Sequence, residues 1–253
     1  MSTQRRVALL ISGGVNSRVN QARYGNDLER WTGGLEARGF DCAVCFADGA
    51  GLAVTGARVR PARRSDIDAE LSLLSGLSED DLAVVLVSNH GDPTGFCTWG
   101  KDRVTPANLA AELKDCAATK VLILGQCYSG IFGSIALQDT VVITACGSNE
   151  TSWACHSPPG PQAYDEFLFQ LADALFGPVA SNPGNPHASA SATSQPSNPG
   201  PAAAPAPTPT VSARVAPPVS LLAAFNLAAA QDRRPETPTI ADPGCLANTL
   251  VLG

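Results

Sequence analysis

Five short apolar runs, each rich in β-branched residues, alternate along the chain with segments of helical spacing. The runs cover residues 7–11, 42–47, 82–88, 121–124 and 141–144. Uninterrupted apolar runs of this length are typical of strands that are buried on both faces. The intervening segments, which cover 27–38, 65–76, 105–116 and 162–176, place their apolar residues along one helix face. This alternation predicts an α/β fold with a mostly parallel sheet and right-handed crossovers.

Residues 178–218 interrupt the alternation. They contain eleven of the chain's 20 prolines among Ala, Ser and Asn, with Arg214 as their single charged residue. Such a segment cannot bury a core, which predicts a disordered or extended linker. Beyond it, 219–230 has helical spacing and 246–252 predicts a final strand. We therefore expect a core over 1–177, a linker over 178–218 and a helix and strand within 219–253 that complete the same domain. Two independent domains are the alternative, disfavoured because the last segment is too short to fold alone.

Charge and hydropathy exclude several functional classes. The formal net charge is −6, and the 17 Lys and Arg residues are scattered, so there is no basic stripe for binding phosphates. No apolar run approaches the roughly 20 residues of a membrane-spanning helix. The apolar stretch after the basic start ends after five residues at Ser12, too short for a secretion signal. These patterns predict a cytoplasmic protein that binds neither nucleic acid nor membranes.

The eight cysteines are expected to be reduced thiols, because disulfides are rare in intracellular proteins. Cys42-x-x-Cys45 lies within a predicted strand, where residues three apart point to opposite faces, which disfavours a redox pair. No second Cys-x-x-Cys completes a zinc site, and the adjacent Cys155 and His156 have poor geometry for binding one ion. We expect no metal and no cofactor.

The informative residues follow three predicted strands. Asn89-His90-Gly91 follows the run 82–88, Gly125-Gln126-Cys127 follows 121–124, and 145–150 follows the run 141–144. Neighbouring parallel strands bring their carboxyl ends to one edge, where open α/β sheets place their sites. A cysteine and a histidine meeting there would supply the nucleophile and the proton carrier of covalent acyl transfer. Taken singly, each also fits a packing cysteine or a turn histidine.

These motifs together resemble those of one peptidase family. His90-Gly91, the pattern Gln126-Cys127-x-Ser129-Gly130 and the segment 143–155 look like the legumain (asparaginyl endopeptidase) family of caspase-like, clan CD cysteine peptidases. Residues 23–27 (Arg-Tyr-Gly-Asn-Asp) and 48–49 are similar to its bacterial members. The resemblance implies a caspase-like three-layer α/β/α sandwich with a mostly parallel six-stranded sheet. It also implies a thiol endopeptidase acting on peptides or proteins, with peptide ligation as a second outcome of the acyl-enzyme.

The resemblance also assigns catalytic roles. Cys127 would be the nucleophile and His90 the general acid that protonates the leaving amine, the two facing each other across the substrate. An asparagine before the first helix usually orients the histidine. Asn20 is the best match, and Asn16 is the alternative because the loop length differs. The backbone N–H groups of Gly91 and Cys127 would bind the oxyanion.

For the specificity pocket, the matching residues are Arg23, Ser152 and Asp165. Family members that cut after Asn have an acidic residue two positions before the cysteine, where this chain has Gly125. The pocket therefore keeps a donor for a side-chain carbonyl but loses one acceptor for an amide NH₂. Asn is the expected P1 residue and Asp a close second, because an uncompensated arginine prefers a carboxylate.

A catalytically inactive caspase-like scaffold is the competing interpretation. Such proteins usually lose the catalytic pair, whereas both His90 and Cys127 are present here with their glycines. The sequence therefore favours an enzyme.

Overall fold

A computed structural model describes residues 4–155, 163–178 and 218–252 of the chain. The described strands, in chain order, are β1 (Arg6–Ser12), β2 (Asp41–Phe46), β3 (Arg58–Arg60), β4 (Leu82–Ser88), β5 (Gly91–Asp92), β6 (Gly95–Cys97), β7 (Arg103–Val104), β8 (Thr119–Leu124), β9 (Thr140–Thr144) and β10 (Thr239–Ala241). The described α-helices are α1 (Ala22–Glu36), α2 (Arg64–Leu73), α3 (Pro106–Leu113), α4 (Glu166–Phe176) and α5 (Leu221–Gln231).

The main sheet has the strand order β10-β9-β8-β4-β1-β2-β3. All neighbouring strands pair in parallel except β10, which pairs antiparallel with β9. The central strands are buried on both faces, as their continuous apolar runs predict. The α/β class and the mostly parallel sheet are therefore confirmed.

Two hydrophobic cores lie on opposite faces of this sheet. Side chains alternate along β1, so Leu10 belongs to one core and Leu9 to the other. The first core is covered by α1, α4 and α5, which contribute Trp31, Leu171 and Phe225. The second is covered by α2 and α3. The fold is thus a three-layer sandwich, and no helix in the described residues is both long and apolar enough to cross a bilayer.

The expected count of six strands is corrected to seven, and the last strand lies elsewhere than predicted. The additional strand is β3, three residues at the sheet edge that are too short to show a pattern. The final strand is β10, not 246–252. Asp242 accepts the backbone N–H groups of Leu246 at 2.9 Å and Ala247 at 2.8 Å, and these bonds start a 3₁₀ turn where a strand was expected.

The C-terminal segment packs onto the rest of the chain through both of its elements. Ser220 caps α5 by accepting the N–H of Ala223 at 3.2 Å, and the buried Phe225 of α5 meets Phe167 of α4 edge to face. β10 extends the main sheet beyond β9. Of the linker predicted over 178–218, residues 179–217 lie outside the described residues.

Candidate active site

His90 follows β4 in a turn that Asn89 holds in place. The buried Asn89 side chain accepts the backbone N–H groups of Gly14 at 2.9 Å and His90 at 2.8 Å. Its amide nitrogen donates to the carbonyl oxygen of Cys97 at 2.9 Å. These bonds tie the turn to the end of β1 and to the small sheet formed by β5, β6 and β7. The side chain of Asn89 therefore fixes the turn that carries His90 through three hydrogen bonds.

Cys127 lies in a sharp turn between β8 and a 3₁₀ helix over Ser129–Ser134. The next residue, Tyr128, has a φ of 58°, in the left-handed region that a bulky side chain seldom adopts. Its N–H donates to the carbonyl oxygen of Glu150 at 2.7 Å, which stabilises this conformation. As a result, the Cys127 thiol is half-buried at the sheet edge and not packed in the core.

The two turns touch each other. A methyl group at Gly91 would overlap the carbonyl oxygen of Cys127 and the side chain of Gln126. Only glycine allows the backbones to approach this closely. β4 and β8 are neighbours in the sheet, so the structure brings the predicted nucleophile, histidine and Gly91 together at one edge.

The orientation of the His90 ring comes from a backbone carbonyl. The ring Nε2 lies 3.0 Å from the carbonyl oxygen of Val19, and the ring packs edge to face on Tyr24 with centroids 5.2 Å apart. The Asn20 side-chain oxygen is buried and has no hydrogen-bond partner among the described residues. Asn16 accepts the N–H of Arg18 within its own turn. A backbone carbonyl leaves no mark in a sequence, so the contact with Val19 had no signal that sequence reasoning could use.

The thiol of Cys127 is not hydrogen-bonded to the imidazole. Its polar contact within the described residues is the carbonyl oxygen of Ser152, 3.7 Å from Sγ. Burial raises the pKa of the Cys127 thiol, and the carboxyl of Asp165 adds to the effect. The resting group at neutral pH is therefore the thiol, and its proton must leave during any nucleophilic attack.

Arg23 lies near this thiol on the first turn of α1. The helix begins at Ala22, five residues before the predicted start, which places Arg23 and Asp27 one turn apart on the same face. The guanidinium packs on the ring of Tyr24, 5.0 Å from its centroid, and Nη2 lies 3.4 Å from the Tyr24 hydroxyl. It forms no ion pair within the described part of the chain. Arg23 thus keeps donors for a ligand.

Asp165 connects Ser152, another predicted pocket residue, to α4 and to Asp27 of α1. It accepts the hydroxyl of Ser152 at 2.8 Å and caps α4 by accepting the N–H of Leu168 at 3.2 Å. Its own N–H donates to the carboxylate of Asp27 at 3.2 Å, and Asp27 accepts the hydroxyl of Ser88 at 2.6 Å. A chain of hydrogen bonds therefore runs from Ser88, at the end of β4, through Asp27 and Asp165 to Ser152, whose carbonyl oxygen contacts the Cys127 thiol. Sequence reasoning noted Asp27 only as part of a motif.

Burial raises the pKa values of both carboxyl groups. The pKa of Asp165 rises to about 7, although the hydroxyl of Ser152 and the charge of Arg23 oppose the rise. The pKa of Asp27 lies well above its usual range, because it is buried and faces Asp165. The pair therefore holds at least one proton below neutral pH, and its charge changes near pH 7.

This shift predicts a pH-dependent contribution to stability. A carboxyl with a pKa of 3.8 when unfolded and about 7 when folded stabilises the fold fully at acidic pH. That contribution is lost as the pH rises from the unfolded pKa of 3.8 through the folded pKa of about 7, because over this range the folded state keeps a proton that the unfolded chain has already released. We expect Asp165→Asn to flatten the fall in Tm between pH 4 and 8. The exposed Asp80→Asn is the control, and equal slopes for the two variants would contradict the prediction.

The absence of an acidic residue at position 125 has a packing cause. A methyl group on Gly125 would overlap the Leu168 side chain and lie 3.0 Å from the carbonyl oxygen of Val87. No larger side chain fits there unless α4 shifts. Asp165 is a carboxyl group that does contact the pocket: it accepts the hydroxyl of Ser152, and the charge of Arg23 acts on it. Among the described residues, no three His, Cys, Asp or Glu side chains are grouped to hold a metal ion.

Comparisons with known proteins identify the fold. No family model matches the chain, and no curated protein matches it in sequence. Among solved structures, the chain is similar to the crystal structure of caspase-1 from Spodoptera frugiperda, with a TM-score of 0.50 and 16% sequence identity. The match covers 68% of this chain and 70% of that one. A sequence identity this low shows only that the two folds are alike. The protein therefore has a caspase-like α/β fold.

Proposed function

We propose that this protein is a cysteine endopeptidase that cleaves peptide bonds through Cys127 and His90. The observation that carries the proposal is the contact of the two turns at the carboxyl edge of β4 and β8, which Gly91 permits. A nucleophile and a proton carrier at neighbouring strand ends are what covalent acyl transfer requires. The caspase-like fold of the chain agrees with this chemistry.

In the proposed mechanism, the two nitrogens of His90 have different roles: one holds the ring in place and the other transfers protons. A carbonyl oxygen only accepts hydrogen bonds, so the contact with Val19 requires a proton on Nε2 and leaves Nδ1 for the reacting groups. The Cys127 sulfur bonds to the scissile carbonyl carbon and its proton passes to the imidazole. His90 then protonates the amine as the C–N bond breaks, and a thioester remains. Water, or an amine in the ligation variant, attacks the thioester and restores the thiol.

The pocket chemistry supports Asn as the preferred P1 residue. The unpaired donors of Arg23 suit the side-chain carbonyl of Asn, while the carboxyl of Asp165 suits its NH₂ group once ionised. Asp is the second choice, because Arg23 forms no ion pair within the described residues and would bind a carboxylate.

Competitive labelling tests the proposal against the inactive scaffold. An Asn-terminated peptide aldehyde should protect Cys127 from iodoacetamide, because the aldehyde traps a competent thiol as a hemithioacetal. The exposed Cys245 provides an internal reference in the same digest. We expect mass spectrometry to show protection of Cys127 and full labelling of Cys245. Equal labelling of Cys127 with and without the aldehyde would favour the scaffold.

A further inference from the structure

The strained turn that carries Cys127 is supported by the loop that follows β9. Tyr128, the residue after the cysteine, has a φ of 58° and donates its N–H to the carbonyl oxygen of Glu150 at 2.7 Å. A bulky residue keeps such a backbone conformation only where its surroundings determine it. The position of the Glu150 carbonyl therefore affects where Cys127 lies.

The side chain of Glu150 holds its own backbone in place. Its Oε2 accepts the N–H groups of Gly147 at 2.9 Å and Thr237 at 2.8 Å, and its Oε1 accepts the hydroxyl of Thr237 at 3.0 Å. The Glu150 N–H donates to the Gly147 carbonyl oxygen at 3.2 Å, which closes a turn over 147–150. The N–H groups of Gly147 and Thr237 lower the pKa of this carboxyl, so it is an anion at neutral pH. Its hydrogen bonds are therefore charge-assisted.

Two glycines let this loop pack closely against the nucleophile turn. A methyl group at Gly130, at the start of the 3₁₀ helix, would overlap the backbone of Gly147 and Ser148. A methyl group at Gly147 would lie 3.1 Å from Cδ of Glu150, inside ordinary van der Waals contact. Glycine at both positions keeps the two backbones and the carboxylate in direct contact. A shift of the loop over 147–150 is therefore transmitted to the nucleophile turn.

Thr237 connects the C-terminal segment to this loop. It lies two residues before β10, which pairs antiparallel with β9 and aligns Thr239 with Thr144 at the end of that strand. The hydroxyl oxygens of these two threonines are 2.7 Å apart. The strand pairing therefore brings Thr237 to the loop after β9, where its N–H and hydroxyl reach Glu150 across 87 residues.

We propose that Glu150 is a positioning residue for Cys127: it holds the nucleophile turn in its strained conformation, and Thr237 in turn holds Glu150. The consequence for catalysis rests on the proposed function, whereas the effect on the turn does not. The carboxylate fixes the loop over 147–150, and that loop aims the Glu150 carbonyl at the Tyr128 N–H. Weakening the carboxylate contacts loosens the backbone beside the sulfur and removes no reacting group.

Amide hydrogen exchange at Tyr128 tests the inference without requiring catalysis. Glu150→Ala should raise the exchange rate of the Tyr128 N–H by about 10-fold or more, because local opening of the turn then breaks fewer hydrogen bonds. Thr237→Val removes only the hydroxyl and should raise the rate by about 3-fold. The rates are measured by NMR, with the N–H of Leu122 in β8 as the reference for global unfolding.

Two threonine variants are the controls. Thr237→Ser keeps both donors and should exchange at the wild-type rate. Thr249→Val makes the same change as Thr237→Val at an exposed threonine of the C-terminal segment and should leave the Tyr128 rate unchanged. An unchanged Tyr128 rate in Glu150→Ala would overturn the proposal. An equal acceleration at Tyr128 and Leu122 would also overturn it, because the variant would then act on global stability alone.

Kinetics test the part of the inference that rests on the proposed function. Glu150→Ala should lower kcat for a fluorogenic peptide with Asn at P1 by about 10- to 100-fold, because a small displacement of the nucleophile is costly, and should leave KM within about twofold. Faster exchange at Tyr128 in a protein that cleaves nothing would reject the peptidase and retain the role of Glu150 in the turn. A wild-type kcat in Glu150→Ala, or a change confined to KM, would reject that role. If Glu150→Ala does not fold, Glu150→Gln keeps the shape, loses the charge and should change both measurements in the same direction.

Discussion

Cys127→Ala is expected to reduce peptide cleavage by roughly three orders of magnitude or more, because no other group can form the thioester. The fold should remain intact, since the thiol is half-buried and its polar contact is the Ser152 carbonyl oxygen at 3.7 Å. His90→Ala should have a comparable effect by removing the proton carrier. A positional peptide-library digest measures the activity and the P1 preference together, and circular dichroism checks the fold.

The matched control for the cysteine variant is Cys245→Ala. Cys245 is an exposed thiol, and its removal should leave turnover unchanged. Near-full turnover by Cys127→Ala would reject the peptidase proposal. Loss of activity in Cys245→Ala would show that removing a thiol can reduce cleavage without removing the nucleophile.

Arg23→Ala is expected to lower kcat/KM for Asn and Asp substrates by about one to two decades, as expected for losing a positioned charged donor in a partly desolvated pocket. The guanidinium packs on Tyr24 and forms no ion pair within the described residues, so its loss removes a ligand contact without breaking an ion pair. It also removes a positive charge that favours the ionised form of Asp165. The measurement compares fluorogenic peptides that differ only at P1.

Arg18→Ala is the control for the pocket variant. Arg18 is exposed and lies in the turn before α1, so kcat/KM should stay at the wild-type value. An unchanged kcat/KM for Arg23→Ala would place the specificity arginine elsewhere, and a fall for Arg18→Ala would identify Arg18 as that residue.

The first helix of the pocket shows which features a local sequence pattern can predict and which it cannot. The motif over 23–27 marked Arg23, but the predicted helix began at residue 27. Gly25 and Asn26, just before that start, are weak helix formers. In the structure, α1 begins at Ala22, since Tyr24 is buried against the sheet and tertiary packing outweighs propensity. This earlier start is what aligns Arg23 with Asp27 on one helix face.

Sequence alone determined the layers of this protein and the edge at which chemistry is expected. Continuous apolar runs separated by helical segments admit few arrangements other than a parallel sheet covered on both faces, and parallel strands gather their carboxyl ends. Residues placed directly after strands, such as His90 and Cys127, could therefore be assigned to one edge without coordinates. The strand over 246–252 was wrong because the side chain of Asp242 competes for the backbone there.

Tertiary structure alone decided the contacts that complete the candidate site. Asp165 donates to Asp27 across 138 residues, and Arg234 reaches Ala154 across 80. The support of His90 by Val19 uses a backbone carbonyl, which every residue has. Patterns of spacing report which face of an element is buried, but not which distant element covers it, because that choice depends on the packing of the whole chain.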